Sequence, residues 1–423
     1  MNKIPIYCLL HIALLLPVMA IADNAYANGH WFDGNEFVER TIYVVDGRIS
    51  FTLPDRIDNT YDLAGAYVIP PFGEAHNHDL ASDFETDERI RDYLRDGVFY
   101  AKMQSAFSIG FEALAPRFNS PESVDVIFAF APITGPGGHP IRIRELFFDR
   151  GYYEGVFGSK EEIAGIGYTE IANREELLQK WPDLTNQNPD FVKFMLIHSE
   201  EYDLREDDPE FFGHKGIDPQ LVPHLVELAH AEGLSITAHV DTATDFHNAV
   251  TAAVDEIAHL PGTDEPEVIS YKDARIAAKN DVAVIATISL TTKIMDDSPK
   301  FYEQIMEQHA RNLQRLKDAG VRIIVGSDMP YRDTSVNEAF MLSKIGVFTN
   351  QEILKMWCET TPRSIFPGRD IGRLAEGFEA SFLVLEGDPI ENFEQVRNIL
   401  LRVKQGQHLA LETSDKSVNI GDF

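Results

Sequence analysis

Cysteine is scarce in this 423-residue chain, which contains only Cys8 and Cys358. We expect Cys8 to be removed with an N-terminal segment, and a single remaining thiol cannot form an internal disulfide. Disulfides are therefore excluded as a source of stability. A chain of this length does not need them, because one large α/β domain and a smaller companion domain can bury an extensive apolar core.

Positive charge is also in short supply. Lysine and arginine total 37 residues against 68 aspartates and glutamates, which gives a formal net charge of −31. Such a chain repels phosphate backbones, so nucleic acid is excluded as a partner, and it has no general attraction to an anionic membrane surface. The acidic residues are scattered along the sequence, which is typical of a solvated surface.

Long apolar runs are absent except at the start of the chain. Residues 4–21 are mainly apolar and follow Lys3, and Ala25-Tyr26-Ala27 has the small-residue spacing of a cleavage site. We predict a signal peptide over residues 1–27 and an exported protein, periplasmic or secreted, with no stable membrane anchor after cleavage. The alternative is a retained anchor, since the run is nearly long enough to span a bilayer.

Both ends of the remaining chain have β character. Asp46-Gly47 stands between two β-rich runs, and this pair predicts a hairpin because both turn positions favour positive φ. Near the other end, residues 380–385 and 399–403 also have strand composition. We predict that the two ends combine into one small β-sandwich domain. Its two parts are residues 28–68 and 368–423.

The middle of the chain alternates short apolar runs with amphipathic helical stretches. The eight runs with strand character are residues 68–72, 97–100, 124–130, 191–197, 234–238, 254–258, 282–286 and 321–325. Several are apolar on both faces, as strands of a covered parallel sheet are. Eight β/α units predict an α/β fold, a (β/α)8 TIM barrel over residues 69–367. The competing open, doubly wound sheet lacks a Gly-rich phosphate loop after its first strand.

Six potential metal ligands lie in five of these strands or just after them. They are His76 and His78 after the first strand, Lys193 in the fourth, His239 and His259 at the fifth and sixth, and Asp328 after the eighth. Each one alone is more often structural than functional. Because active sites of such barrels lie at the carboxyl ends of the strands, six suitable groups at this end predict a metal site.

Lys193 is unusual because it lies inside the apolar segment 191–197. A charged ammonium is costly in a buried strand unless it is paired or neutralised. One interpretation is a salt-bridged lysine. The other is a neutral amine that reacts with carbon dioxide, and the oxygen atoms of the resulting carbamate could bridge two metal ions.

These residues, in this order, resemble the amidohydrolase superfamily over essentially the whole chain after the predicted signal peptide. The histidine, lysine and aspartate set is similar to that of its binuclear members, which include prolidase-like and imidazolonepropionase-like enzymes. Residues 372–377 and 380–389 are similar to its C-terminal signature, although Ser381 replaces the common aspartate. Residues 70–75 read Pro-Pro-Phe-Gly-Glu-Ala where Pro-Gly-hydrophobic-Ile-Asp is usual.

The resemblance implies a metal-dependent hydrolase that cleaves a carbon–nitrogen bond in a small amide, peptide or cyclic amide. The implied ligands are His76, His78 and Asp328 for one divalent ion, His239 and His259 for a second, and carbamylated Lys193 as a bridge. Zinc suits these ligands. A hydroxide between the ions would attack the substrate carbonyl, with Asp328 as general base and then acid. An exported enzyme of this kind fits a dipeptidase or prolidase-like substrate.

A Gly-rich segment after the third strand suggests a substrate contact. Residues 134–140 read Thr-Gly-Pro-Gly-Gly-His-Pro, and we predict that His139 contacts the substrate carbonyl or the developing oxyanion. The alternative is a surface turn whose histidine faces solvent. Arg142 and Arg144 follow, and they could hold a substrate carboxylate or form surface salt bridges.

Two other functions compete with this interpretation. A mononuclear deaminase or imidazolone-type hydrolase of the same superfamily would not need Lys193. A barrel that only binds its ligand would be expected to have lost metal ligands, whereas the full set is present here. The sequence is also compatible with a homo-oligomer.

Overall fold

The fold combines a sheet built from both chain ends with parallel strands that are covered by helices. The computed structural model describes residues 22–262, 267–290, 299–329 and 333–411. Its strands are β1 (Asn24–Phe32), β2 (Phe37–Val45), β3 (Arg48–Ser50), β4 (Asn59–Asp62), β5 (Tyr67–Ile69), β6 (Phe72–Asn77), β7 (Val98–Ala106), β8 (Asp125–Phe130), β9 (Ile133–Thr134), β10 (Thr169–Glu170), β11 (Phe191–Met195), β12 (Ser235–His239), β13 (Glu256–Ala258), β14 (Ala283–Ile285), β15 (Arg322–Ile324), β16 (Phe382–Leu385), β17 (Ile399–Lys404) and β18 (Gln407–His408). Residues 1–21 of the predicted signal peptide lie outside the described residues.

Helices follow most of the parallel strands. The α-helices are Thr86–Arg95, Phe111–Leu114, Ile141–Asp149, Arg174–Thr185, Tyr202–Arg205, Val222–Ala231, Ala243–Thr251, Tyr271–Lys279, Pro299–Ala319, Ser335–Ile345, Asn350–Lys355 and Thr361–Ile365, and a π-helix, Met356–Thr360, joins the last two. Within the described ranges, no helix combines the length and apolar character needed to cross a bilayer.

The eight-stranded sheet, called here the terminal sheet, contains strands from both ends of the chain. Its order is β18-β17-β16-β5-β1-β2-β3, with β4 paired to β1. The predicted hairpin is present: Val45 pairs with Arg48, and Asp46 and Gly47 have φ values of 50° and 73°. The terminal sheet has a core of its own, in which Tyr26 and Trp31 pack against Phe382. Both chain ends therefore share one hydrogen-bonded sheet.

Strand β1 begins before the predicted cleavage point. Ala25-Tyr26-Ala27 lies within this strand, Asn24 pairs with Val44, and Tyr26 is fully buried. Cleavage after Ala27 would remove four residues from a central strand of the terminal sheet. Strand β1 therefore begins four residues before the predicted domain start at residue 28.

The remaining strands run parallel in two groups. One group has the order β6-β7-β8 and the other β10-β9-β11-β12-β13-β14-β15. Backbone hydrogen bonds join the groups at both edges: Ala75 N donates to Val325 O at 2.9 Å, and Asp190 N donates to Phe128 O at 2.9 Å. An α/β fold with parallel strands is thus present, as predicted.

The predicted strand at residues 68–72 is two strands in the structure. Tyr67–Ile69 belongs to the terminal sheet, where Ile69 pairs with Leu383, and Phe72–Asn77 begins the parallel series. Pro70 and Pro71 separate them, because proline lacks the N–H that a continuing ladder requires. The other seven predicted strands are present with shifted ends, whereas the two-residue strands β9 and β10 were not predicted.

Small and branched apolar residues fill the space between β6 and the last strands. Ala75, Ala258, Ala283, Ile285 and Ile324 form one buried cluster. Because β6 and β13–β15 run parallel and contact each other through this cluster, their carboxyl ends meet at one face. The polar residues that follow these strands are therefore brought together.

Candidate metal centre

The first ligand group lies where β6 meets the segment after β15. His76 Nε2 and His78 Nε2 lie 3.5 Å and 3.3 Å from Asp328 Oδ1. One ligand atom from each of the three residues lies within 4.8 Å of the other two. His76 is buried, whereas the side chain of His78 is 47% exposed, so this group opens towards solvent on one side.

Three more predicted histidines continue the cluster. The ring of His259 lies 4.8 Å from that of His76 and 4.5 Å from that of His239, measured between ring centroids. His259 Nε2 lies 4.0 Å from Asp328 Oδ2. The His139 ring stacks on that of His239 at 5.2 Å. The structure thus brings all five predicted histidines into one continuous row.

Lys193 enters this cluster from the middle of β11. It is 2% exposed, and its Nζ has no hydrogen-bond partner among the described residues. Burial lowers the pKa of this amine to about 7, although Asp328 and Glu256 act in the opposite direction. A buried, partly neutral amine is the form that can react with carbon dioxide. The salt-bridged interpretation fits less well, because the carboxylate of Glu256 is paired with Lys102 at 2.8 Å.

Burial favours the neutral form of three imidazoles in this row. It lowers the pKa of His76 and of His259 well below 6.5, and positive charge on neighbouring groups of the cluster would lower both further. Burial also lowers the pKa of His139, to about 3. Neutral imidazoles carry a nitrogen lone pair, which is what a divalent metal ion binds. Together with the unpartnered Lys193 and the Asp328 carboxylate, these donors fit one or two divalent ions.

Partners on the outer side of the imidazoles were not predicted from the sequence. His259 Nδ1 lies 2.7 Å from Thr287 Oγ1, and His239 Nε2 lies 3.1 Å from Asp241 Oδ1. Such contacts orient ligating histidines and select the nitrogen that faces the ion. The spacing His239-x-Asp241 is present in the sequence. Because side-chain direction in a loop is not periodic, this spacing does not predict that the two side chains meet.

Glu74 stands where the family pattern usually has aspartate, and it ties β6 to the segment that carries Asp328. It accepts hydrogen bonds from Ser327 N at 2.8 Å, Ser327 Oγ at 2.7 Å and His76 N at 3.1 Å. Burial raises the pKa of Glu74 to about 8. The longer side chain therefore maintains the link between the first and last parallel strands despite the unusual sequence.

The backbone at two ligands is held in an uncommon conformation. His259 and Asp328 have φ values of 77° and 49°. Residues other than glycine adopt this left-handed region at an energetic cost that surrounding contacts must offset. At Asp328 one such contact is a 2.7 Å hydrogen bond from its N–H to His76 O.

The Gly-rich loop brings His139 to the cluster by close backbone packing. His139 N donates to Lys215 O at 2.9 Å, and a Cβ on Gly138 would collide with Thr134 Oγ1 and Lys215 O. Arg144 donates hydrogen bonds to Tyr153 Oη at 3.0 Å and to Ser105 Oγ. Neither partner is a carboxylate, so the predicted salt bridge is not seen among the described residues, and the contact with a substrate carboxylate stays a prediction.

The amidohydrolase family pattern matches residues 153–408, which is more than half of the chain. Ochratoxinase from Aspergillus niger is 26% identical over 194 residues, which cover 45% of this chain and 40% of that protein. The aligned part of this chain therefore spans less than half the length of the curated relative.

Solved structures share the fold along nearly the whole chain. The crystal structure of A. niger ochratoxinase has a TM-score of 0.71 and 19% identity, and the match covers 92% of this chain and 95% of that one. A prolidase complexed with N-methylphosphonate-L-proline has a TM-score of 0.71 and 16% identity, with 92% and 99% covered. A Xaa-Pro dipeptidase gives the same TM-score, identity and coverage. At these levels of identity, the solved structures show that this chain shares their fold.

Proposed function

Since this chain belongs to the amidohydrolase family, we propose that it is an exported, metal-dependent hydrolase of small amides, peptides or cyclic amides. The observation that carries the proposal is the row of imidazoles beside Asp328 and the buried amine of Lys193, which has no hydrogen-bond partner among the described residues. These groups come from several different parallel strands and from the segments that follow them. A site that binds divalent ions accounts for all of them together.

We further propose that the parallel strands close into the (β/α)8 barrel. The hydrogen bonds from Ala75 N to Val325 O and from Asp190 N to Phe128 O support closure at both edges. The apolar cluster that β6 shares with β13–β15 supports it as well. In such a barrel the ligand residues lie at the carboxyl ends of the strands, where active sites of this fold occur.

The proposed site holds two divalent ions, with zinc as the expected metal. The assigned ligands are His76, His78 and Asp328 for the first ion, His239 and His259 for the second, and carbamylated Lys193 for both. Such ions lower the pKa of bound water and polarise a carbonyl oxygen. The lowered pKa values of His76, His259 and Lys193 favour forms that supply donors without adding positive charge.

Asp328 and His139 are the residues assigned to the reaction itself. Asp328 Oδ1 lies beside the Nε2 atoms of His76 and His78, and its carboxylate can accept a proton from the attacking water and return it to the leaving nitrogen. Neutral His139 stacks on His239 and can donate a hydrogen bond to the substrate carbonyl oxygen. Their positions support hydrolysis of an amide bond.

A dipeptidase or prolidase-like substrate is the narrower proposal. It is supported by the fold shared with a prolidase and a Xaa-Pro dipeptidase. The shared fold with ochratoxinase supports a wider range of amides. A panel of Xaa-Pro and other dipeptides, aryl amides and cyclic amides separates these two possibilities.

The experiment that tests the proposal measures metal content by elemental analysis in protein produced with bicarbonate. We expect about two ions per chain, falling sharply in Lys193→Ala, because a binuclear site needs its bridge. Lys180→Ala is the control, since Lys180 is an exposed partner of Glu176. With carbon-13 bicarbonate, a carbamate resonance should appear in the wild type and be missing in Lys193→Ala.

Other outcomes would contradict the proposal in distinct ways. About one ion per chain, unaffected by Lys193→Ala, would indicate the mononuclear hydrolase or deaminase. A metal-loaded protein that hydrolyses nothing on the amide panel would indicate a barrel that only binds its ligand.

A further inference from the structure

Asp241 has a carboxylate at the site, but the proposed ligand assignment gives it no role. It lies two residues after His239, the last residue of β12. Its Oδ1 is 3.1 Å from His239 Nε2, and the side chains of Asp241 and His239 are only 18% and 14% exposed. A largely buried carboxylate next to a proposed ligand can act on the ion through that ligand.

The backbone on both sides holds Asp241 in place. Its N–H donates to Asp245 Oδ2 at 3.2 Å, and its carbonyl oxygen accepts from Gly262 N at 2.8 Å. Asp245 also accepts from Thr242 N at 3.0 Å at the start of helix Ala243–Thr251. The segments that follow β12 and β13 therefore both fix the position of this carboxylate.

The role of Asp241 follows from which nitrogen of each imidazole is used for the outer hydrogen bond and which is left for the ion. His259 uses Nδ1 for Thr287, and its Nε2 faces Asp328. His239 uses Nε2 for Asp241, which leaves Nδ1 for the ion. A carboxylate accepts only from a protonated nitrogen, so it selects the tautomer whose other nitrogen has a free lone pair.

We propose that Asp241 is a positioning residue for the second ion: it accepts the Nε2 proton of His239 and so directs His239 Nδ1 to the metal. This inference rests on the proposed binuclear function. Removing an outer-sphere partner of this kind weakens metal binding about 10- to 100-fold in other metalloproteins. The ion held by His76, His78 and Asp328 does not depend on this contact.

The test is a titration of metal-free protein with Co²⁺, followed by equilibrium binding and the visible spectrum. In Asp241→Asn we expect the second ion to bind about 10- to 100-fold more weakly, with the first unchanged and with an altered absorption spectrum of the second ion. Asp241→Ser removes the same carboxylate and replaces Asp241→Asn in the titration if the asparagine variant folds poorly. Asp255→Asn is the matched control, because Asp255 pairs with the partly exposed His230 at 2.9 Å.

A double-mutant cycle with His239→Ala decides how Asp241 acts. If Asp241 works through His239, adding Asp241→Asn to His239→Ala should weaken binding of the second ion no further. An equal further loss would show that Asp241 is itself a ligand and would overturn the proposal. So would two ions bound with unchanged affinity in Asp241→Asn. Fewer than two ions in the wild type would instead overturn the binuclear function, and the inference with it.

Discussion

His139 differs from the other site histidines in the way it reaches the cluster. His76, His239 and His259 lie in or directly after parallel strands, whereas His139 is carried by a loop that packs on the carbonyl oxygen of Lys215. In barrel enzymes, loops of this kind determine the substrate, whereas the strand ends carry the residues that the reaction itself requires. The proposed contact with the substrate carbonyl is consistent with this division.

Replacing His139 by leucine should therefore affect turnover and leave the ions in place. We expect kcat to fall about 10²- to 10³-fold, the effect of removing one hydrogen-bond donor to a developing oxyanion. The change in KM should be small, because the donor acts mainly in the transition state. The measurements are kcat, KM and metal content with the best amide of the panel.

The control for His139 is another histidine that lies away from the cluster. His230→Leu changes a side chain that is 45% exposed and pairs with Asp255, so its kinetics should match those of the wild type. Loss of metal in His139→Leu would assign this residue to the ion site. Unchanged kcat would remove it from the reaction.

At the scale of single elements, β1 limits where the proposed signal peptide could be cleaved without loss of strand contacts. Ala20-Ile21-Ala22 has the same small-residue spacing as Ala25-Tyr26-Ala27 and precedes the strand. Asn24 pairs with both Val44 and Asn59, and these contacts would be lost by cleavage after Ala27. Cleavage after Ala22 preserves the whole strand.

If the proposed signal peptide is removed, we expect the mature protein to begin at Asp23. Intact-mass measurement and N-terminal sequencing of the protein isolated from its natural host would determine this directly. A version that starts at Asn28 should unfold at a lower temperature than one that starts at Asp23, because it lacks the buried ring of Tyr26. A natural terminus at Asn28 with equal thermal stability would contradict this assignment.

At the scale of the whole molecule, a buried ion pair joins the terminal sheet to the parallel strands. Lys404 of β17 is fully buried, and its Nζ donates to Asp125 Oδ1 at 2.6 Å and to Ser120 O at 2.7 Å. Arg369 pairs with Asp125 at 2.7 Å and with Glu379 at 2.7 Å. Asp125 thus receives two cations from segments close to the C-terminus.

Replacing Lys404 by methionine should lower the free energy of unfolding by about 3–5 kcal/mol, because it leaves part of a buried charge uncompensated. Denaturant unfolding followed by tryptophan fluorescence and circular dichroism would measure the loss. Arg311→Met, which removes an exposed pair with Glu307, should cost about 1 kcal/mol or less. Equal losses in the two variants would argue against a structural role for the buried pair.

Several features of this molecule follow from local sequence patterns. Seven of the eight parallel strands predicted from apolar runs are present, and Asp46-Gly47 predicted its hairpin, because side-chain alternation and turn geometry depend on neighbouring residues. The proposed ligands were recognisable for a related reason. In parallel β/α chains, the carboxyl ends of successive strands point to the same face, so the order of residues predicts their proximity.

Contacts between distant segments were decided by the tertiary structure. Glu74 and Ser327 are separated by 253 positions, and Lys404 and Asp125 by 279, so no periodic pattern relates them. Asp241 is close to His239 in sequence, but the nitrogen that it contacts depends on how the segments after β12 and β13 pack. Chain order determined which ligand types meet, whereas long-range packing determined their orientation, because side-chain direction is set by all the neighbours a residue contacts.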